Sequence, residues 1–216
     1  MEVLALSDDA VDVYADILGA VTSELADSNF AGAVSQLRPI AGERWGGKFS
    51  LMAPSGPVST TERRSRAVSD KTRAAVFVRD GFSCTYCGGR TIPRCILVAI
   101  SDVFPEAFAY HPNYKRGAIH PAFWVLAPEV DHALPLSQGG TDDPDNLTTL
   151  HTVCNARKSA ALLHELPVLR KPVAVAGWDG LMSRYEATVL AGAERGERHS
   201  APGYHPRWLK LFKVLP

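Results

Sequence analysis

The stretch Glu129–Ser159, EVDHALPLSQGGTDDPDNLTTLHTVCNARKS, constrains the fold of this chain more than any other stretch. A hydrophobic lead-in ends at Asp131-His132, and a loop marked by proline and glycine follows it. A short strand-like run then covers residues 146–150, and we expect a helix to open at His151. Ordinary core packing does not require Asp, His, Asn and Lys in this order. We therefore expect the chemistry of the protein to lie here.

The polar residues of this stretch suit a metal-dependent hydrolysis. Asp131 and Asn155 offer hard oxygen ligands of the kind that Mg²⁺ or Mn²⁺ binds while it keeps several waters. Histidine titrates at about pH 6.5, so His132 is the natural general base at neutral pH. Lys158 lies one helical turn past Asn155 and is placed to meet a phosphate. One divalent ion, one base and one cation together fit phosphodiester hydrolysis, in which His132 deprotonates water.

Four further residues form a candidate zinc site. Cys84-x-x-Cys87 is followed by two glycines, and the pair His151-x-x-Cys154 completes a Cys₃His set that suits tetrahedral Zn²⁺. Sixty-three residues separate the two pairs, whereas zinc ribbons use roughly 15–20. The longer loop costs about 1 kcal/mol extra, and a structural zinc contributes on the order of 10 kcal/mol. Cys95 is a competing ligand, but it sits in an apolar run and is expected in the core.

Net charge is zero, but the charges are unevenly distributed. Residues 1–43 hold eight acidic residues and one basic residue, and residues 61–94 hold eight basic residues against three acidic ones. A basic segment beside the proposed site can hold phosphates. Solvated faces on both segments would explain the same pattern.

The flanking segments predict helices around this centre. Residues 8–27 carry apolar residues at three- and four-residue steps, which indicates an amphipathic helix that caps the core, with a partner surface as the alternative. Residues 31–60 are interpreted as loop or linker because of their glycines and prolines. Ser69 is expected to cap a helix that Gly81 ends.

The insertion at residues 90–128 is rich in aromatic residues, for which we favour packing inside a proline-punctuated lobe. Lys115 and Arg116 in that lobe are equally compatible with phosphate binding. Residues 181–190 predict a helix, and the residues around 208–215 share an apolar helical face. The chain is thereby divided into an acidic helical extension with a linker at 1–60, a central domain at 61–170 that contains the insertion, and a helical extension at 171–216.

Targeting signals are not evident in this sequence. No apolar run approaches the length that crosses a bilayer, and the first residues lack the features of a signal peptide. We therefore expect no membrane association and a cytoplasmic location. In that compartment four cysteines favour metal binding or free thiols over a disulfide framework.

The array CxxC … EVDHxxPLSxGGxxxxxNLxxLHxxCNxRKS resembles the HNH endonuclease family, and the similarity covers about residues 65–165. The resemblance implies an α+β fold with a ββα-metal core, a structural zinc site and helical extensions at both ends. It implies His132 as general base, Asp131 and Asn155 as metal ligands, and Asn146 as the residue that fixes the loop carrying the base. It also implies Cys84, Cys87, His151 and Cys154 as zinc ligands.

The chain departs from the family pattern at three places. The last family histidine is Asn155 here, which favours Mg²⁺ or Mn²⁺. His151 stands where a cysteine is commoner, and the insertion before Glu129 is longer than in minimal members.

The leading hypothesis is a metal-dependent DNA endonuclease acting on double-stranded DNA in restriction, phage defence or mobile-element processing. Whether it nicks or cuts both strands, and whether it dimerises, is left open. The alternative is a non-catalytic zinc module that binds nucleic acid; a secreted nuclease toxin with an immunity partner is disfavoured because no signal or delivery region is evident. Candidate contacts to DNA are Lys158, Arg157, Arg73, Arg79, Lys115 and Arg116.

Overall fold

The computed structural model of the protein describes residues 9–47, 68–158, 162, 176–195 and 201–213. Eight helices and two strands are described: α1 Asp9–Ala26, α2 Phe30–Leu37, α3 Asp70–Arg79, α4 Arg94–Val103, α5 Ala122–Leu126, β1 Pro128–His132, β2 Leu147–His151, α6 Thr152–Lys158, α7 Tyr185–Arg195 and α8 Tyr204–Lys213. None of the described helices is long and apolar enough to cross a membrane. This is the α+β arrangement that the sequence predicted, with helical extensions at both ends.

The two strands form an antiparallel hairpin, and α6 follows the second strand directly. The pairing places Pro128 opposite His151 and His132 opposite Leu147. The helix therefore begins at Thr152, one residue later than we expected, because His151 still belongs to the strand ladder. Helix α6 packs against both strands, which produces the compact strand–strand–helix unit that holds the site.

Helix α3 packs on the hairpin and is bounded as the sequence predicted. The Ser69 hydroxyl accepts a hydrogen bond from the Thr72 amide at 3.1 Å, which satisfies one of the free amides at the helix start. At the other end Gly81 adopts a left-handed conformation with φ of 60°, which glycine tolerates without strain. The Asp80 carboxylate accepts from the Thr149 amide at 2.9 Å and so ties this helix end to β2.

The interpretation of residues 31–60 as loop is wrong for their first part, because α2 continues to Leu37 and a short 3₁₀ turn, Arg38–Ile40, follows it. Glycine and proline suggested a loop, but the Asn29 side chain caps α2 by accepting from the Gly32 amide at 3.1 Å. Burial of Ala33 and Leu37 then stabilises this helix through packing. Residues 48–60 lie outside the described residues.

One large apolar core joins parts of all three predicted segments. It contains buried side chains from α1, α2, α4, α5 and α7, and every residue of α4 from Cys95 to Val103 is buried. The aromatic residues of the insertion pack there, with Phe108 and Phe123 ring centroids 5.3 Å apart, which confirms the packing interpretation. His120 is fully buried beside them; burial lowers its pKa to about 4, and its Nε2 lies 2.9 Å from the Ile40 carbonyl oxygen.

A buried chain of hydrogen bonds attaches the C-terminal helices to the core. The Tyr185 hydroxyl oxygen lies 2.7 Å from His205 Nδ1, and His205 Nε2 lies 2.9 Å from Asp102 Oδ2. The helix predicted over 181–190 begins as a 3₁₀ turn, Met182–Arg184, and continues as α7 to Arg195. These contacts join α4, α7 and α8.

Candidate active site and metal centre

Asn146 fixes the loop that connects the two strands. Its Oδ1 accepts from the Leu134 amide at 2.8 Å, and its Nδ2 donates to the carbonyl oxygens of Leu134 at 3.0 Å and Thr141 at 2.8 Å. The Ala133 amide also donates to the Asn146 carbonyl oxygen at 2.8 Å. Gly140 is needed for this closure, because a Cβ there would lie 1.9 Å from the Leu134 oxygen. The Asn146 side chain therefore joins two points of the loop, Leu134 and Thr141, to the start of β2.

His132 is the last residue of β1 and stands at the mouth of this loop. Its side chain is 16% exposed, and its Nε2 lies 2.9 Å from Oδ1 of Asp142, which belongs to the loop. A carboxylate in this position accepts the Nε2 proton and leaves Nδ1 as the basic nitrogen. Proton transfer needs a base that water can reach, and the His132 side chain keeps part of its surface exposed to solvent.

Asp131, the neighbour of His132, points to a different environment, as adjacent residues of a strand do. Its Oδ2 forms an ion pair with Nζ of Lys158 at 2.6 Å, and Lys158 donates a hydrogen bond to the His132 carbonyl oxygen at 3.1 Å. The Lys158 side chain is 1% exposed and Asp131 is 19% exposed. The structure thus places the Lys158 ammonium inside the hairpin–helix unit, where we had expected it to face a phosphate.

Asn155 lies in α6 one helical turn before Lys158, so the two side chains share a face of the helix. Helix α6 packs against β1, so Asn155 and Asp131 lie on adjoining elements. Asn155 is half-buried, and its side chain has no hydrogen-bond partner among the described residues. An amide oxygen and a carboxylate oxygen on adjoining elements fit Mg²⁺ or Mn²⁺, which complete their shells with water.

The four predicted zinc ligands come together at the other end of the hairpin. The ligand atoms of Cys84, Cys87, His151 and Cys154 all lie within 4.8 Å of one another, and all four residues are buried. His151 Nδ1 lies 3.3 Å from the Cys87 sulfur, and its Nε2 lies 2.9 Å from the Arg90 carbonyl oxygen. That second contact holds the Nε2 proton and turns Nδ1 toward the sulfur atoms, as in many zinc sites. This Cys₃His group fits Zn²⁺.

The surroundings favour a thiolate at Cys84 and a protonated thiol at Cys154, because hydrogen bonds with Cys84 and Cys87 raise the pKa of Cys154 well above its usual value. Burial raises the pKa of Cys84, but hydrogen bonds from Cys154 and Cys87 and the charge of His151 outweigh it, so the pKa lies well below its usual value. Gly89 packs closely beside them, since a Cβ there would lie 3.0 Å from His151 Cε1 and 3.3 Å from the Cys87 sulfur. Cys95 lies outside the group; burial raises its pKa to about 12, which confirms its assignment to the core.

One of three comparisons with known proteins matches the region of the hairpin and α6. The family model of the HNH endonuclease matches residues 122–161, which contain α5, both strands and α6. Residues 122–161 are therefore similar to the HNH endonuclease family. No curated protein and no solved structure matches the chain. The matched residues include Asp131, His132, Asn146 and Asn155, and the resemblance inferred from the sequence is confirmed.

Two of the arginines that we expected near DNA, Arg73 and Arg79, contact acidic residues and carbonyl oxygens of the protein. Arg73 Nη1 lies 3.0 Å from Oε2 of Glu129. Arg79 binds Asp80 at 2.7 Å and donates to the carbonyl oxygens of Pro144 at 2.7 Å and Leu147 at 2.6 Å. These contacts join α3 to the hairpin and to the end of its loop. Lys115 and Arg116 remain exposed, and Arg157 is half-buried.

Two residues beside the HNH motif escaped the sequence reasoning. Asp142 is one of several acidic residues in the loop, and the sequence offered no signal to select it as the partner of His132. Glu129, two residues before Asp131, contacts both Arg73 and Arg94. The EVDH string contains this glutamate, so its place within the motif was the available signal.

Ion pairs within the protein neutralise part of the positive charge of residues 61–94. Arg90 follows the Cys84–Cys87 pair and its two glycines, and it lies 2.7 Å from Asp16 and 3.3 Å from Asp12 of α1. Arg207 of α8 lies 2.7 Å from Asp70. Arg63, Arg64 and Arg66 of the basic segment lie outside the described residues. The described part of this segment therefore contributes less free positive charge than its composition suggested.

Proposed function

We propose that the protein is a divalent-metal-dependent HNH endonuclease that hydrolyses DNA phosphodiester bonds. The observation that carries the proposal is the placement of His132. Its imidazole stands at the exposed end of β1, its Nε2 lies on the Asp142 carboxylate, and Asn146 clamps the loop behind it. A base oriented by a carboxylate and open to solvent is what phosphodiester hydrolysis requires.

Each residue of the site has a distinct role in the proposed reaction. His132 Nδ1 accepts a proton from the attacking water, and Asp142 stabilises the imidazolium that forms. Asp131 and Asn155 are the residues that would hold Mg²⁺ or Mn²⁺, and the bound ion would supply charge stabilisation for the scissile phosphate and the departing 3′ oxygen. Asn146 keeps the loop, and with it Asp142, in register with His132.

The Cys₃His group is the structural part of the same domain. We propose that this group binds one Zn²⁺ through Cys84, Cys87, His151 and Cys154. The ion would join the segment that follows α3, which carries Cys84 and Cys87, to the junction of β2 and α6. The group is buried and all four positions are protein ligands, which is typical of structural rather than catalytic zinc.

Double-stranded DNA is the proposed substrate. Lys115, Arg116 and Arg157 are the candidate phosphate contacts that have no carboxylate partner among the described residues. Restriction, phage defence and mobile-element processing in the cytoplasm are the settings that such an activity suits.

Cleavage of a supercoiled plasmid tests the proposal. With Mg²⁺ or Mn²⁺ the wild type is expected to relax or linearise the plasmid, and His132→Ala to cut about 10²–10⁴-fold more slowly. His111→Ala is the matched control, because His111 is a partly exposed histidine of the insertion whose Nδ1 accepts only a local amide at 3.2 Å. It should cut at the wild-type rate. No cutting by the wild type, or equal cutting by His132→Ala, would favour a non-catalytic zinc module that binds nucleic acid.

A further inference from the structure

Lys158 forms an ion pair unlike that of an ordinary surface lysine. Its side chain is 1% exposed, and its Nζ lies 2.6 Å from Asp131 Oδ2. Lys213 and Glu186 form a pair of similar length, 2.9 Å, but their side chains are 63% and 60% exposed. The two pairs therefore contrast an enclosed ammonium with a solvated one, within one chain.

The Lys158 ammonium contacts both residues of the Asp131–His132 segment. It pairs with the carboxylate of the first and donates to the carbonyl oxygen of the second at 3.1 Å. The Lys158 ammonium on α6 thus contacts both the Asp131 side chain and the backbone carbonyl of the next residue of β1. The contact uses Oδ2 of Asp131, which leaves Oδ1 as the oxygen available to a cation.

We propose that Lys158 is a positioning residue, which holds Asp131 and the backbone of His132 in place before a divalent cation binds. Its catalytic consequence rests on the proposed nuclease function, whereas the contact itself can be tested by stability alone. Because the Lys158 side chain is 1% exposed, its ammonium would have to leave this buried position to contact a DNA phosphate. The role of Lys158 is therefore inside the site, in place of the phosphate contact that its position in the motif suggested.

Positioning and plain charge predict opposite changes in cation affinity. A lysine that only added positive charge would repel a divalent cation, so its removal would tighten cation binding. A lysine that aligns a ligand carboxylate has the opposite effect, because its removal lets Asp131 and the end of β1 take other conformations. The sign of the change in affinity distinguishes the two roles.

The contact is tested by thermal unfolding of the zinc-loaded protein in buffer without Mg²⁺ or Mn²⁺. A chelator is avoided because it would also remove zinc from the cysteine group. Lys158→Met is expected to lower Tm by about 10 °C, because it leaves the buried Oδ2 of Asp131 without its cationic partner. Lys213→Met, the exposed control, is expected to lower it by less than about 2 °C.

A double variant keeps this test decisive if Lys158→Met fails to fold. Asp131→Asn combined with Lys158→Met leaves a neutral pair, so it is expected to recover most of the lost Tm. Equal losses in Lys158→Met and Lys213→Met, or no recovery in the double variant, would overturn the contact.

The positioning role is tested by counting free Mn²⁺ with electron paramagnetic resonance. Lys158→Met is expected to bind Mn²⁺ about 10-fold more weakly than the wild type, with Lys158→Arg between them. Asn155→Ala should also weaken the same binding, which identifies the site being counted. Unchanged or tighter binding by Lys158→Met would overturn the role. Failure of the wild type both to bind Mn²⁺ and to cut plasmid would remove the proposed function and the positioning role together, whereas the Tm comparison would still decide the contact.

Discussion

The β1–β2 hairpin carries a histidine at each end, and the two have opposite surroundings. His151 closes β2 among three buried cysteines, whereas His132 closes β1 at the surface beside a carboxylate. The antiparallel register separates them, because His151 pairs with Pro128 and His132 with Leu147. Four strand steps of about 3.3 Å place the two ends roughly 13 Å apart.

This contrast shows how one small sheet serves two purposes. At the His151 end, soft sulfur ligands are enclosed and every ligand position belongs to the protein, which suits a permanent ion. At the His132 end, oxygen and nitrogen groups are partly open to water, which suits a reaction. The exposed end is held by one amide side chain, while the enclosed end draws ligands from segments 63 residues apart. The enclosed end should therefore govern stability, and the exposed end should govern rate.

Loss of a zinc ligand should have the largest effect on this comparison. Cys154→Ser is expected to lose zinc and to be largely unfolded at 25 °C, because a structural zinc contributes on the order of 10 kcal/mol, comparable to the whole stability of a domain. Elemental analysis should find about one zinc per wild-type chain and much less in the variant. Circular dichroism would follow the fold.

Cys95→Ala is the matched control for that experiment. Cys95 is also a buried cysteine, but it lies in α4 outside the zinc-binding group, so the variant should keep its zinc. A wild type without zinc, or equal stability of Cys154→Ser and Cys95→Ala, would break the division between a structural end and a reactive end.

The local parts of both ends could be predicted from the sequence. Strand, loop and helix follow one another within residues 128–158, and the HNH string carries its residues in a fixed order there. The clustering of the four residues of the cysteine group was also predictable, because Cys and His pairs at two-residue spacing are a common pattern of zinc ligands. Ser69 and Gly81 bounded α3 through their local backbone chemistry.

Partners chosen through tertiary packing could not be predicted in this way. Lys158 sits at a motif position that suggested a phosphate contact, yet α6 turns it inward against Asp131. Arg79 belonged to a basic segment, but its donors meet Asp80 and two carbonyl oxygens. Charge counts along the chain do not reveal such pairing, because the partners are brought together only when α3, the hairpin and α6 pack.

Asn146→Ala should sharpen the contrast by damaging only the exposed end. It removes three side-chain hydrogen bonds to Leu134 and Thr141, and we expect a loss of about 1–2 kcal/mol because the loop is partly solvated. Plasmid cleavage should fall by about 10–100-fold, since the loop no longer holds Asp142 against His132. Zinc content should stay at the wild-type level.

The exposed neighbour Asp145 supplies the control for that variant. Asp145→Ala alters the same turn without removing the clamp, so its cleavage rate should stay near that of the wild type. Equal rates for the two variants would show that the clamp does not support the reaction. Loss of zinc from Asn146→Ala would show that the two ends are not independent.

Asp142→Asn is expected to have the smallest effect and is the finest test of the exposed end. The amide oxygen can still accept the His132 Nε2 proton, so the orientation of the ring is kept and only the charge is lost. Because the Asp142 side chain is 42% exposed, solvent weakens that charge, and cleavage should fall by about 10-fold or less with Tm unchanged. Asp142→Ala removes the acceptor as well and should cut more slowly than Asp142→Asn. Asp143→Asn is the control, since its carboxylate accepts from the Thr141 hydroxyl at 2.7 Å and has no contact with His132. Wild-type rates in both Asp142 variants would mean that the end of β1 alone holds the His132 ring. His132 and His151 would then differ only in how deeply they are buried.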